Sequence, residues 1–182
     1  LTLAVLGLAP EVQAQTPAAV RPSYAELVDP LTGTLSSYEL SAGNTYPVIS
    51  RPWGMNSWTP QTGKMGDGWQ YTYTAQKLCG IKQTHQPSPW IGDYGQFAFL
   101  PMVGSVPRFG DEERASHFSH RAERAHPYSY EVYLADYDTQ LRLAPTERAA
   151  VCEITYPSYS KPEERWLVID AYDGGSELRQ TS

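Results

Sequence analysis

Residues 128–156, YSYEVYLADYDTQLRLAPTERAAVCEITY, decide the fold class. Tyr128, Tyr130, Val132 and Leu134 alternate with Ser129, Glu131, Tyr133 and Ala135, the two-residue period of a strand with one face turned to a core. Asp136-Tyr137-Asp138 supplies a turn. Leu141 and Leu143 then alternate with Gln140 and Arg142, and Pro145-Thr146 gives a break. Ala150, Cys152, Ile154 and Tyr156 face one way again. Roughly ten residues per strand and turn, repeated with period two, predict an antiparallel sheet with one buried face.

The same pattern extends outward. Residues 78–84 and 94–102 read as strands, the second closed by Pro101, and residues 166–170 (WLVID) read as a last apolar strand. No window shows convincing helical periodicity, although residues 112–116 suit a turn of helix. Fifteen prolines and fourteen glycines in 182 residues oppose a long helical bundle. The expectation is an all-β chain, an antiparallel β-sandwich over residues 27–182, with residues 1–20 unpacked. That length suits one domain with a real core.

The net charge of −6 creates no strong field for nucleic acid or anionic lipid, so neither is an expected partner. Residues 1–8 (LTLAVLGL), followed by Pro10 and Val12-Gln13-Ala14, read as the apolar region and cleavage site of a secretory signal peptide. The run is too short to span a bilayer. Residues 1–14 are therefore expected to be a partial signal peptide, residues 15–26 a linker, and the protein to be exported, periplasmic or secreted. Both termini read as cut, the sandwich being incomplete at its C-terminal end. Cys79 and Cys152 each sit in an apolar strand-like stretch, where a buried free thiol is the commoner outcome, though in an exported protein they could pair. No Cys/His spacing matches a zinc site.

Residues 43–63, GNTYPVISRPWGMNSWTPQTG, set Trp53 and Trp58 among prolines and glycines, and GDGW (66–69), GIKQTHQPSPW (80–90) and GDYG (92–95) follow. Aromatic rings held on turns beside neutral amides suit sugar, whose ring offers C–H faces and an equator of hydroxyls. Trp53, between Pro52 and Gly54, reads as structural. Trp58 precedes Thr59-Pro60-Gln61-Thr62-Gly63, read as a turn, while Trp69 and Trp90 follow rigid Gly- and Pro-bearing loops. Gln83, His85 and Gln86 lie where a strand runs into the 87–89 loop, with Asp93 close behind, and could bond sugar hydroxyls. His85 equally suits tying down its own loop. The candidate substrate-binding set is Trp58, Trp69, Gln83, His85, Trp90 and Asp93. From the residues alone, Asp67 and Asp93 are the carboxylates to nominate for acid/base work, against the commoner role of an Asp in a Gly-rich loop, capping its own backbone.

This order of motifs resembles the amino-terminal β-sandwich domain of the family 92 glycoside hydrolases, the calcium-dependent α-mannosidases. The resemblance runs from about Leu27 onward and is most specific between Gly43 and Pro101. Where that family reads like GFSHTHLSG, this chain has GIKQTHQPSPW, so His85 matches the second histidine and Gln83 replaces the first. Residues 118–130, FSHRAERAHPYSY, resemble the family's FSHxxExAxPGYY block with Tyr128 where glycine is usual, and His120 and Glu123 within it read as structural. Lys64, Arg108 and Arg114 read as ordinary solvated charges.

The resemblance implies that the catalytic acid and base and the calcium ligands belong to a following helical (α/α)6 barrel domain absent from this sequence. No catalytic or metal-binding residue is then expected here. It implies an inverting exo-α-mannosidase acting on mannose-containing glycans, α-1,2 linkage being the narrower guess, with this sandwich lending loops to the site and inactive alone. The rival reading is a stand-alone carbohydrate-binding β-sandwich without catalysis.

Overall fold

The computed structural model of the chain describes residues 23–35, 45–51, 54–63, 71–84 and 97–171. Ten strands occur among them. β1 (Ser57–Gln61), β3 (Gly80–Thr84), β4 (Phe97–Val103) and β10 (Arg165–Ala171) form one antiparallel sheet in the order β1-β3-β4-β10. β6 (Arg124–His126), β7 (Ser129–Leu134), β8 (Thr139–Pro145) and β9 (Ala150–Thr155) form a second in sequence order. β2 (Lys77–Leu78) pairs with β5 (Ser116–His117), and a single helical turn, α1 (Asp111–Arg114), precedes β5.

The period-two reading is realised on β7 and β8. Tyr130, Val132 and Leu134 are buried on the one, Leu141 and Leu143 on the other, and their neighbours lie further out. Leu100, Met102, Phe99, Ile81 and Val168 of the first sheet join them in one hydrophobic cluster, so the architecture is a two-sheet sandwich. Each such buried side chain contributes about 1.5–3 kcal/mol relative to exposure. The outward face of the second sheet carries a row of alternating charge, Arg124, Glu131, Arg142 and Glu153, each the register partner of the next. Arg142 Nε lies 3.3 Å from Glu131, and its Nη1 lies 3.6 Å from Glu153.

The expected turn at Asp136-Tyr137-Asp138 is a 3₁₀ turn (Ala135–Tyr137) closed by Asp138 in the left-handed region (φ 47°). Three expectations need correction. Residues Thr59-Pro60-Gln61 are strand, not turn. Pro60 is tolerated there because β1 lies at the edge of its sheet, where a missing N–H breaks no ladder. Cys152 is exposed, because β9 is the last strand of its sheet and no described element covers it; Cys79 is buried, and both thiols are free. Arg114 is not a solvated charge but is 1 % exposed. The signal-peptide region and most of the linker lie outside the described residues. Glu26, at the linker's end, accepts a hydrogen bond from Tyr128 Oη.

Candidate functional site

At one end of the first sheet, the start of β1, the end of β3, the start of β4 and the end of β10 stand side by side. Ser57 pairs with Thr84, and Phe97 pairs with Ala171. Residues 85–96 leave this end from β3 and return to it at β4. The site candidates His85, Trp90 and Asp93 belong to that segment, and they lie outside the described residues, as do Trp69, Asp67 and Trp53.

Two candidates are described, and the fold brings them together. Trp58 and Gln83 are register partners on β1 and β3, so their side chains share one face of the sheet. The placement of Trp58 on a loop tip is corrected. Its ring is 7 % exposed and meets Phe97 and Phe99 edge-on, with centroids 5.8 and 6.0 Å away. Its Nε1 donates to Asn56 Oδ1, and its backbone exchanges two 2.9 Å hydrogen bonds with Ile49. Gly54 makes a tight turn back on Ser50 possible, its N–H donating to the Ser50 carbonyl oxygen (2.8 Å), which a Cβ there would approach to 2.3 Å. Gln83 is half-buried, its amide 3.5 Å from the Thr84 carbonyl oxygen. Chemically, this corner offers an aromatic wall and one amide at the foot of the 85–96 segment.

The other face of the same sheet carries the core residues Leu100, Met102 and Val168 and, beside them, a largely polar row. Thr59, Lys82, Ala98 and Asp170 form one row across its four strands. Arg114 reaches this face from α1. Its Nε donates to Cys79 O (2.7 Å), its Nη1 to Phe109 O (2.5 Å), and its Nη2 is shared by Asp111 and, at 2.7 Å, Asp170. Burial pulls the Lys82 ammonium down to about 8, against the opposing pull of Asp111 and Asp170. Burial pushes the Cys79 thiol up to about 12, helped by Asp111. Two carboxylates sharing one guanidinium are held as acceptors, not poised as an acid/base pair.

A second polar knot surrounds Glu123, whose side chain is fully buried. Tyr71 Oη donates to both carboxylate oxygens (3.1 and 3.0 Å) and Tyr130 Oη to one (2.6 Å). His120 Nδ1 lies 2.5 Å from the other, and its Nε2 lies 2.6 Å from the Tyr73 carbonyl oxygen. Burial, followed by the charge of Glu123, raises the pKa of both tyrosines well above the ordinary phenol range. Every oxygen of Glu123 is engaged by protein donors. Among the described residues no three His, Cys, Asp or Glu side chains gather to hold a metal ion. Nor is any helix among them long and apolar enough to cross a membrane.

Comparison with known proteins places this geometry. Residues 27–182 match the model of the glycosyl hydrolase family 92 N-terminal domain. The inverting family GH92 mannosidase BT2199 from Bacteroides thetaiotaomicron VPI-5482 is similar at 46 % identity and a TM-score of 0.74, covering 83 % of this chain and 20 % of that one. The family GH92 α-mannosidase BT3965 from Bacteroides thetaiotaomicron, in complex with mannoimidazole, is 30 % identical over 73 % of this chain and 18 % of its own, at a TM-score of 0.63. The family GH92 glycosyl hydrolase ccman5 is 26 % identical over 82 % of this chain and 20 % of its own, at 0.66. A search of curated proteins gives no match. The chain thus spans about a fifth of the length of its solved relatives. With that match running from Leu27 through the whole described sandwich, the chain belongs to glycoside hydrolase family 92, within its amino-terminal domain.

Proposed function

We propose that this chain is the amino-terminal part of an exported, calcium-dependent, inverting exo-α-mannosidase acting on mannose-containing glycans, with α-1,2 linkages as the narrower guess. The observation that carries this reading is the 46 % identity to a solved inverting mannosidase over most of the chain. On this reading the sandwich supports substrate-contacting segments and packs beside a C-terminal helical barrel. Gln83 bonds a sugar hydroxyl, Trp58 backs the wall beside it, and Trp69, His85, Trp90 and Asp93 are proposed as further sugar contacts from their sequence. Inversion requires two carboxylates about 6.5–9.5 Å apart with a water between them. Glu123 and the Asp111–Asp170 pair are already committed to protein donors, which supports an acid/base pair outside this chain and inactivity of the chain alone. Calcium, which when bound would organise sugar hydroxyls as a hard cation does, is assigned to residues outside this chain.

The test is the full-length protein on α-linked mannobioses, with the first-formed anomer read by proton NMR and the reaction repeated in chelator. β-Mannose as first product and loss of rate in chelator are expected. Mannose release by the 182-residue chain alone, or none by the full-length protein, would sink the reading.

A further inference from the structure

Burial falls off at β9, the last strand of the second sheet. Leu141 and Leu143 of β8 are fully buried, and their register partners Ile154 and Cys152 share that face of β9. Yet Ile154 is half-buried and Cys152 exposed. β10 differs, since Val168, the partner of Leu100, is buried in the core and only the opposite face, Ile169 and Leu167, is 48 % and 49 % exposed. β9 and β10 are consecutive strands, and Tyr156 Oη donates to Trp166 O (2.8 Å) between them. Their inner neighbours, β8 and β4, approach one another across the sandwich.

Free sheet edges are ordinarily blunted by inward charges, prolines or bulges. β9 has no inward charge and no proline: its core side is Ala150, Cys152 and Ile154. Among the described residues no strand pairs with the outer edge of β9, and such an edge beside an apolar, two-residue-periodic face fits an added strand.

We infer that β9 is continued by a further strand supplied by the remainder of the full-length polypeptide, its alternate apolar side chains covering Cys152 and Ile154. The solved relatives carry about four-fifths of their length outside the matched region, in the same chain, so such a segment meets the edge at intramolecular effective concentration. A second copy of this chain has no such advantage. The inference rests on the proposed place of this chain in a longer enzyme, but its test reads no activity, so the two can fail separately.

The test uses the cysteines. In the 182-residue chain, an aromatic disulfide reagent should modify Cys152 readily, if more slowly than a free thiol because burial raises its pKa, and leave Cys79 untouched until denaturant is added. In the full-length protein Cys152 should slow at least 100-fold, and the β9 amides not bonded to β8 should gain hydrogen-exchange protection of similar size. Equal Cys152 rates in the two proteins would overturn the inference. So would a protected thiol with freely exchanging β9 amides, which means a cover other than a strand. Protection in the short chain that rises with its concentration would assign the edge to a second copy instead. Cys152→Lys in the full-length protein gives an independent reading: a covered site should lower the denaturant midpoint of the transition that unfolds the sandwich, and an unchanged midpoint would overturn the inference even if the short chain fails to fold.

Discussion

Trp58 and Gln83 stand directly opposite one another on β1 and β3 with their side chains on one face, yet only the amide retains access to solvent. The pair therefore separates two roles that the sequence ran together, a ring that builds the corner and a polar group that can reach out of it.

Trp58→Ala should remove a core ring and leave Asn56 without its donor, lowering unfolding stability by about 3–5 kcal/mol. Gln83→Ala should change stability by less than about 1 kcal/mol. In the full-length enzyme, Gln83→Ala should instead weaken kcat/KM on mannosides roughly tenfold, the value of one sugar hydrogen bond of about 1.4 kcal/mol. Urea titration and steady-state kinetics separate the two, and a stable Trp58→Ala protein with impaired kinetics would return the ring to the binding surface.

Arg114 is the second point where a single change should matter. Arg114→Met keeps the volume but leaves Asp111, Asp170 and the carbonyls of Cys79 and Phe109 without their donor. The expected loss is about 3–5 kcal/mol, the cost of breaking a buried pair from one side. Arg114→Lys should rescue little of it, because one ammonium cannot reproduce the fork. Denaturation midpoints of the two variants within error of wild type would mean the cluster is solvated in solution.

Glu123→Gln tests the other knot. The substitution keeps shape but turns an N–H₂ donor toward Tyr and His groups that already donate. A loss of about 1–3 kcal/mol is expected, against about 1 kcal/mol for Tyr130→Phe, which removes one donor and leaves the carboxylate two others. A Glu123→Gln protein as stable as wild type would show that the hydroxyls and imidazole around it turn to accept from the amide at no cost.

Much of the architecture was legible because period two is a property of neighbouring residues. Tyr130, Val132, Leu134, Leu141 and Leu143 announce their shared face without any knowledge of what covers it. Cys152 shows the limit: its alternation gives the correct side of β9, but exposure depends on what packs against that side, which local sequence does not encode. Arg114 was opaque for a different reason. Its partner Asp170 lies across the sheet and far away in sequence, and nothing local distinguishes a buried guanidinium from a solvated one. Pro60 misled because proline is read as turn wherever edge position is unknown. The site candidates on residues 64–70 and 85–96 lie outside the described residues, so only Trp58 and Gln83 were placed.

Lys82 gives a prediction in pH. Its folded pKa of about 8 lies below the unfolded value of 10.5 because burial disfavours the ammonium more than Asp111 and Asp170 favour it. Below pH 8 both states hold the proton, and the folded state carries a constant cost for it. Between 8 and 10.5 the folded chain releases the proton while the unfolded chain keeps it, so the unfolded state binds more protons and stability from this group rises with pH. Lys82→Met has no proton to release. Its stability relative to wild type should therefore be greatest at pH 7 and should fall by roughly 2–3 kcal/mol by the upper end of that window, since each tenfold change in proton affinity is worth about 1.4 kcal/mol. Deprotonation of Cys79, Tyr71 and Tyr130 in the unfolded state also erodes stability at alkaline pH, but it is common to both proteins and cancels in the difference. Urea unfolding of the two chains at pH 7, 8.5 and 10 is sufficient. A difference that stays flat over that range would mean the ammonium finds water in the folded state, and that the row from Thr59 to Asp170 is less dry than its burial implies.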